Sequence, residues 1–206
     1  MIKNIVFDLG NVIFSFDPKT FFSKYLNNEI LSNELCNLIL NHKTWKEYDL
    51  GLVSLEDVKK TYVSIKPEYK NEINEVLDKW TDILTPIDLM ANKMKSLKSR
   101  GYKIYILSNL SFDAYHYIWK HYDFIHLNDG RVLSCEEHIN KPDRRIYEIL
   151  IERYNLIPDE TIYLDDLINN VEMGNEVGLN SIHVKNIKYA INEIEEIIDV
   201  KKETVD

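Results

Sequence analysis

The stretch IKNIVFDLGN (residues 2–11) carries a short apolar run that halts at a carboxylate. Ile2, Ile5, Val6 and Phe7 are β-branched or aromatic and read as a buried strand, closed by Asp8 and the turn residues Gly10 and Asn11. The same grammar returns twice. KIYILSN (103–109) stops at Ser108-Asn109, and TIYLDD (161–166) stops at Asp165-Asp166. Ser181–Val184 reads as a further strand. Helical stretches are expected near 87–99, 111–122, 142–154, 168–177 and 188–198, the first ending at Arg100-Gly101 with glycine in its usual place after a helix. An Asp129-Gly130 turn interrupts the short region before 142. Strands alternating with helices of this length predict an α/β fold, a Rossmann-like parallel sheet covered by helices on both faces.

The segment 17–85 breaks the alternation. Asp17-Pro18 is a helix start, and Phe21, Phe22, Tyr25 and Leu26 follow at helical spacing. Further helical stretches cover 31–48, 55–65 and 68–83, with no strand-like run among them. This is too long for one crossover helix and predicts an inserted all-α cap of four helices. The expected division is a core of 1–16 and 86–200, the cap at 17–85, and a frayed polar tail, KKETVD, at 201–206.

The chain has 206 residues, 45% apolar and 29% charged, enough for one domain with a sizeable insertion. Lys and Arg number 25 against 34 Asp and Glu, a net charge of −9, and no basic stripe emerges. A nucleic-acid partner is therefore not expected. Cys36 and Cys135 are too few for a disulfide framework. His116, His121 and His126 are five apart and do not share a helical face, so no histidine metal site is expected. The N-terminal run lacks a cleavage signal, and no stretch is apolar enough to span a bilayer. The reading is a cytoplasmic protein with no membrane partner.

Open parallel sheets bind ligands beyond the carboxyl ends of their strands. There the chain offers Asp8, Ser108-Asn109 and Asp165-Asp166, with Asn140-Lys141-Pro142-Asp143 opening a helix nearby. Converging carboxylates repel one another unless a cation lies between them, and oxygen ligands without His or Cys favour Mg²⁺. A cation, a lysine and a hydroxyl at one edge make a phosphate site. Singly, each group also reads as a turn, a helix cap or a solvated surface residue. Their order and spacing together favour chemistry.

DLGNV (8–12), LSN (107–109), KPD (141–143) and LDDLINNVEMGNEVG (164–178) occur in the order of the four motifs of the haloacid dehalogenase-like phosphohydrolases, which the chain resembles over nearly its whole length. The block at 17–85 falls where that family carries its α-helical C1 cap. YDLGLVSLEDV (48–58) and KPDRRIYEIL (141–150) resemble the alpha-D-glucose-1-phosphate phosphatase subgroup. The resemblance implies that Asp8 attacks phosphorus to form an aspartyl-phosphate. It implies Mg²⁺ on the Asp8 carboxylate, the Gly10 backbone carbonyl and Asp165, with Asp166 binding through water or orienting its neighbour. Ser108 and an amide near Asn109 would hold phosphate oxygens, and Lys141 would neutralise the phosphoryl group. Asn170 would fix the fourth-motif loop or simply pack its helix.

Gly10 departs from the general family pattern, which places there a second Asp that protonates the leaving group. A leaving oxygen that departs readily as an anion suits this loss, so a sugar 1-phosphate fits better than a 6-phosphate. Asp17 reads either as a substitute proton donor or as the cap of its helix. Phe16, Trp45 and Tyr48 read either as walls stacking on a sugar or as the cap's own core, and Gly51 as a residue closing a helix rather than a hinge. The expected function is Mg²⁺-dependent hydrolysis of a small phosphorylated metabolite, a sugar phosphate such as glucose 1-phosphate. Two alternatives stand beside it. A 2-haloacid dehalogenase-type hydrolase would also lack the second Asp but needs no cation and carries Ser-Asn at the fourth motif. The other is a non-catalytic phosphate-ligand binder. Oligomeric state is left open.

Overall fold

The computed structural model describes residues 1–203. In chain order the elements are β1 (Asn4–Phe7), β2 (Phe14–Ser15), α1 (Pro18–Leu26), α2 (Glu29–Asn41), α3 (Lys43–Asp49), α4 (Leu55–Ile65), α5 (Lys70–Asp78), β3 (Thr85–Pro86) and α6 (Asp88–Ser99). They continue with β4 (Lys103–Ser108), α7 (Phe112–His121), β5 (Gly130–Leu133), α8 (Ser134–Glu137), α9 (Arg144–Tyr154), β6 (Thr161–Asp165), α10 (Ile168–Glu176), β7 (Asn180–His183) and α11 (Ile187–Glu203).

β5-β4-β1-β6-β7 form one sheet in that order, every neighbouring pair parallel. Successive side chains of a strand point to opposite faces, and each face is buried. Ile5, Phe7, Ile104, Ile106, Ile162 and Leu164 share a cluster with Met94 of α6, Ile118 of α7 and Ile194 of α11. Val6, Tyr105, Leu107 and Tyr163 join Ile146, Tyr147 and Leu150 of α9 on the other side. The α/β class with helices on both faces is therefore observed.

β5 is a strand that hydrophobic pattern did not reveal. It is only four residues long and starts on glycine. Its position is set by Asp129, which donates its N–H to the Ile104 carbonyl at 2.6 Å while its carboxylate accepts from Ile104 N–H at 2.8 Å. That turn brings Gly130 beside Tyr105.

Helices α1–α5 lie between β2 and β3, the antiparallel pair through which the chain leaves the sheet and returns, with Phe14 opposite Pro86. The expected helix at 31–48 is two helices. His42 sits in extended backbone, φ −80° and ψ 145°, and its ring accepts from the Thr44 N–H at 3.3 Å, capping α3. The stretch at 68–83 resolves into 3-10 turns at Pro67–Tyr69 and Trp80–Ile83 flanking α5. The described residues of this region thus hold five α-helices rather than four. Their apolar faces meet around Leu35, Ile39, Tyr62, Ile73 and Leu77, all fully buried. Trp45, Tyr48 and Trp80 pack edge to face beside them.

α11 runs to Glu203, beyond the point where a frayed tail was expected, and Lys201 pairs with Asp159 in the turn before β6. Residues 204–206 of that expected tail lie outside the described residues. Among the described residues, no helix is long and apolar enough to cross a membrane. Cys36 and Cys135 are buried and free.

Candidate active site

β1, β4 and β6 end side by side, so Asp8, Ser108 and Asp165 emerge at one edge of the sheet. A buried lysine ties this edge together. Lys141 Nζ lies 2.9 Å from Asp8 Oδ1, 2.5 Å from Asp165 Oδ2 and 2.8 Å from the Leu107 carbonyl, which uses all three of its protons. The Asn109 side chain positions Lys141 by pairing with its backbone in both directions, donating at 3.0 Å and accepting at 2.8 Å. Two carboxylates and one ammonium out of water are tolerable only when hydrogen-bonded this completely.

Burial pushes the Asp8 carboxyl up to about 6, with Lys141 pulling it back and Asp165 adding its own negative charge. Burial alone would depress the Lys141 ammonium, but the two carboxylates outweigh it and hold it above the ordinary lysine range.

Asp165 and Asp166 differ sharply. Asp165 is fully buried and accepts four hydrogen bonds: Leu167 N–H and Asn170 Nδ2 at 2.9 Å each on Oδ1, Lys141 and the Tyr163 hydroxyl on Oδ2. Asp166 accepts from Asn11 Nδ2 at 3.0 Å and lines the cavity above the sheet. Burial raises its pKa, with Asn11 opposing. Asn11, in left-handed backbone at φ 52°, also accepts from the Phe16 N–H at 3.1 Å, so it links the first-motif loop to the start of the helical region. Among the described residues, the three carboxylates of Asp8, Asp165 and Asp166 can bring one oxygen each within 4.8 Å of one another. A set of hard oxygen donors without His or Cys fits Mg²⁺.

The cavity holds about 260 Å³, room for a small molecule. Its floor is Asp8, Gly10, Ser108, Asn109, Lys141 and Asp166, with Asn170 at the side. The structure therefore brings the sequence-selected residues to one place, except that Asp165 stands behind the wall, and Asn170 serves it by donating to it.

Of the aromatic candidates, Phe16 and Trp45 line the cavity. Tyr48 does not; its hydroxyl donates to Asp113 of α7 at 2.6 Å. Asp17 is also elsewhere. It caps α1, accepting from the Thr20 N–H at 3.2 Å and hydroxyl at 2.6 Å, and those bonds hold its carboxyl below the usual range. It is a helix cap and no proton donor to this cavity. Gly51 follows α3 at φ 67°, the left-handed closing position expected of it.

The sequence reading missed Asp49, Trp80 and Leu84, which complete the roof. Trp80 is one of three tryptophans and sits in a stretch read as continuous helix. Asp49 stands in YDLGLVS, two residues before Gly51, and only the chain reversal there turns it toward the sheet edge.

Comparison with known proteins agrees with this architecture. The chain is similar to a sesquiterpene phosphatase of Aspergillus oryzae, 25% identical over 197 residues that span 95% of this chain and 96% of that protein. It is similar to D-ribitol-5-phosphate phosphatase of Bacteroides thetaiotaomicron, 25% identical over 90% of this chain and 93% of the relative. A HAD family enzyme of Bacteroides thetaiotaomicron, crystallised with magnesium and inorganic phosphate, shares the fold at a TM-score of 0.70 and 21% identity, covering 89% of this chain and 94% of its own. L-2-haloacid dehalogenase of Xanthobacter autotrophicus shares it at a TM-score of 0.62 and 16% identity, covering 89% and 77%. The family model for haloacid dehalogenase-like hydrolases matches residues 2–178, from the first strand through the loop after α10, and the chain belongs to that family.

Proposed function

We propose that the protein is a Mg²⁺-dependent phosphatase of small phosphorylated metabolites. The observation that carries this reading is the Asp8–Lys141–Asp165 ion-pair chain opening onto a cavity that a further carboxylate, Asp166, shares. Asp8 is the nucleophile, held at one oxygen by Lys141 and attacking phosphorus in line from the cavity floor to form an aspartyl-phosphate. Lys141 holds Asp8 ionised and offers its positive charge to the phosphoryl oxygens. Ser108 and the backbone near Asn109 hold those oxygens in place. The metal would be held by the Asp8 carboxylate, the Gly10 carbonyl and Asp166. The sequence reading gave direct coordination to Asp165, but four donors already occupy its oxygens, which favours Asp166 for that role and makes Asp165 the group that positions Lys141. When bound, Mg²⁺ lets an anionic ester approach this acidic floor and offsets charge on the phosphoryl oxygens.

A haloacid brings its own carboxylate and needs no cation, so two cavity carboxylates would repel it. That argues against a dehalogenase. The intact ion-pair chain argues against a decayed binder.

For the organic group, the readily departing oxygen of a sugar 1-phosphate, glucose 1-phosphate among them, fits Gly10. The flat faces of Trp45 and Trp80 suit a sugar ring. One observation favours a second substrate class. The walls above the floor are Phe16, Trp45, Trp80, Leu84 and Leu110, with few groups to satisfy hydroxyls, and they suit an apolar alcohol phosphate such as a terpenyl phosphate. Phosphate release from glucose 1-phosphate, glucose 6-phosphate, ribitol 5-phosphate and farnesyl phosphate, with Mg²⁺ and with EDTA, tests both. Metal-dependent turnover that Asp8→Asn abolishes supports the phosphatase, and the preferred ester selects the substrate class. Absence of turnover on any ester overturns the reading.

A further inference from the structure

An alcohol leaving phosphorus needs a proton, and the floor of the cavity has none free to give. Gly10 has no side chain, and Lys141 directs its protons at three oxygens. In the phosphatase reading Ser108 serves the phosphoryl oxygens and Asp166 the metal, and Asp165, behind the wall, accepts four hydrogen bonds. The roof presents one ionisable group. From the helical region 17–85 the cavity is lined by Trp45, Asp49, Trp80 and Leu84, and of these only Asp49 titrates.

Asp49 is placed there by backbone. Its carbonyl accepts from the Ser134 hydroxyl at 2.6 Å, and the same hydroxyl accepts at 2.9 Å from the N–H of Leu110, two residues beyond Ser108. His138 Nδ1 meets the Leu50 carbonyl at 2.7 Å, and Tyr48 donates to Asp113 at 2.6 Å. Three residues of the core, Ser134, His138 and Asp113, thus bond to this turn, and Leu110 joins them through Ser134. The side chain itself is left without a hydrogen bond or ion pair among the described residues. Around it, Tyr62 of α4 is turned to the Ile39 carbonyl, Asp113 is taken by Tyr48, and Cys135 of α8 is a buried thiol. Among the described residues no cation or hydrogen-bond donor meets this carboxyl, and burial pushes it up to about 7.

We propose that Asp49 is the proton donor to the leaving oxygen, reaching it from the roof while Asp8 attacks from the floor. The proposal rests on the phosphatase reading above. As the Asp8–P bond forms and the P–O bond to the alcohol breaks, the carboxylic proton of Asp49 passes to the departing oxygen. The products are the free alcohol, the aspartyl-phosphate and an Asp49 carboxylate. A water molecule then attacks phosphorus and returns one proton to Asp49, releasing phosphate and restoring both groups. Burial, which raises the Asp49 carboxyl to about 7, favours the return of that proton.

The test compares Asp49→Asn with wild type on two esters, the best alkyl phosphate of the panel and p-nitrophenyl phosphate, whose anion leaves unaided. The quantity read is kcat/KM, which reports steps only through departure of the alcohol. Asp49→Asn is expected to lose about 10²- to 10⁴-fold on the alkyl ester and less than about tenfold on the aryl ester. Its thermal melting should be no lower than wild type, because the side chain makes no bond to lose and the amide has no charge to bury. Equal losses on both esters, or full activity on the alkyl ester, overturn the role of Asp49 while leaving the phosphatase standing. Wild type inactive on both esters overturns the phosphatase reading and Asp49 with it.

Discussion

The floor and the roof of the cavity hold their carboxylates in opposite ways. On the floor, Asp8 and Asp165 share one buried ammonium, and every lone pair of Asp165 is answered. In the roof, Asp49 faces aromatic and aliphatic walls with no counter-charge. The same residue type is paired with a buried cation in one place and left without one in the other, and the environment sets how readily each gives up its proton. A carboxylate held by a cation is suited to attack or to bind metal, and a buried carboxyl without one is suited to give a proton away.

Removing the shared cation is the largest blow to this contrast. Lys141→Ala strands two buried carboxylates and should cost about 3–5 kcal/mol in urea unfolding. Phosphate release should vanish as well. Retention of stability within about 1 kcal/mol would mean that the floor is not organised around Lys141.

The next test loosens the roof from the floor. A Cβ at Gly51 would stand 2.6 Å from the Cys135 carbonyl oxygen and 2.7 Å from the Phe112 ring, at φ 67°. Gly51→Ala should therefore destabilise by about 2–3 kcal/mol, read as a lower urea midpoint. Ser134→Ala orphans the Leu110 N–H and the Asp49 carbonyl together, an expected loss of about 2 kcal/mol by the same measurement. If neither substitution lowers the midpoint, the roof is not anchored through this turn.

A surface pair far from the cavity sets the small end of the scale. Arg100 holds Glu195 down to about 2 against its burial, with Lys93 assisting. A depressed carboxylate stabilises the fold above its unfolded pKa and loses that contribution as pH falls from the ordinary 4.5 toward about 2. Glu195 is more than a third exposed, so solvent screening limits the effect to less than about 1 kcal/mol at neutral pH. Glu195→Gln should lower the melting temperature slightly at pH 7 and leave it unchanged near pH 2. An equal shift at both pH values would show that packing, not charge, is lost.

Much of this was legible in the sequence because it is local. A strand that ends on Asp8, Ser108 or Asp165 announces itself through a run of β-branched and aromatic residues followed by polar punctuation. The alternation of such runs with helices leaves only a parallel sheet, whose neighbouring strands must end at one edge. That reasoning reached Asp8, Ser108, Asn109, Lys141 and Asp166 as partners without any coordinates. β5 escaped because four residues starting on glycine carry no period, and the break at His42 escaped because a single capping side chain ends α2 inside an otherwise helical pattern.

The rest required tertiary structure. Asp165 and Asp166 are adjacent and chemically identical in sequence; only the donors converging from Lys141, Tyr163, Leu167 and Asn170 make one a buried anchor and leave the other in the cavity. Asp17, read from the sequence as either a proton donor or a helix cap, is the cap of α1, and Asp49, the last residue of α3, is brought to the cavity only by the fold. Residue types and their order along strands determine what chemistry the chain can assemble. Burial and hydrogen-bond partners, which sum over residues distant in sequence, determine which carboxylate is paired with a cation, which is left without one and which faces the ligand.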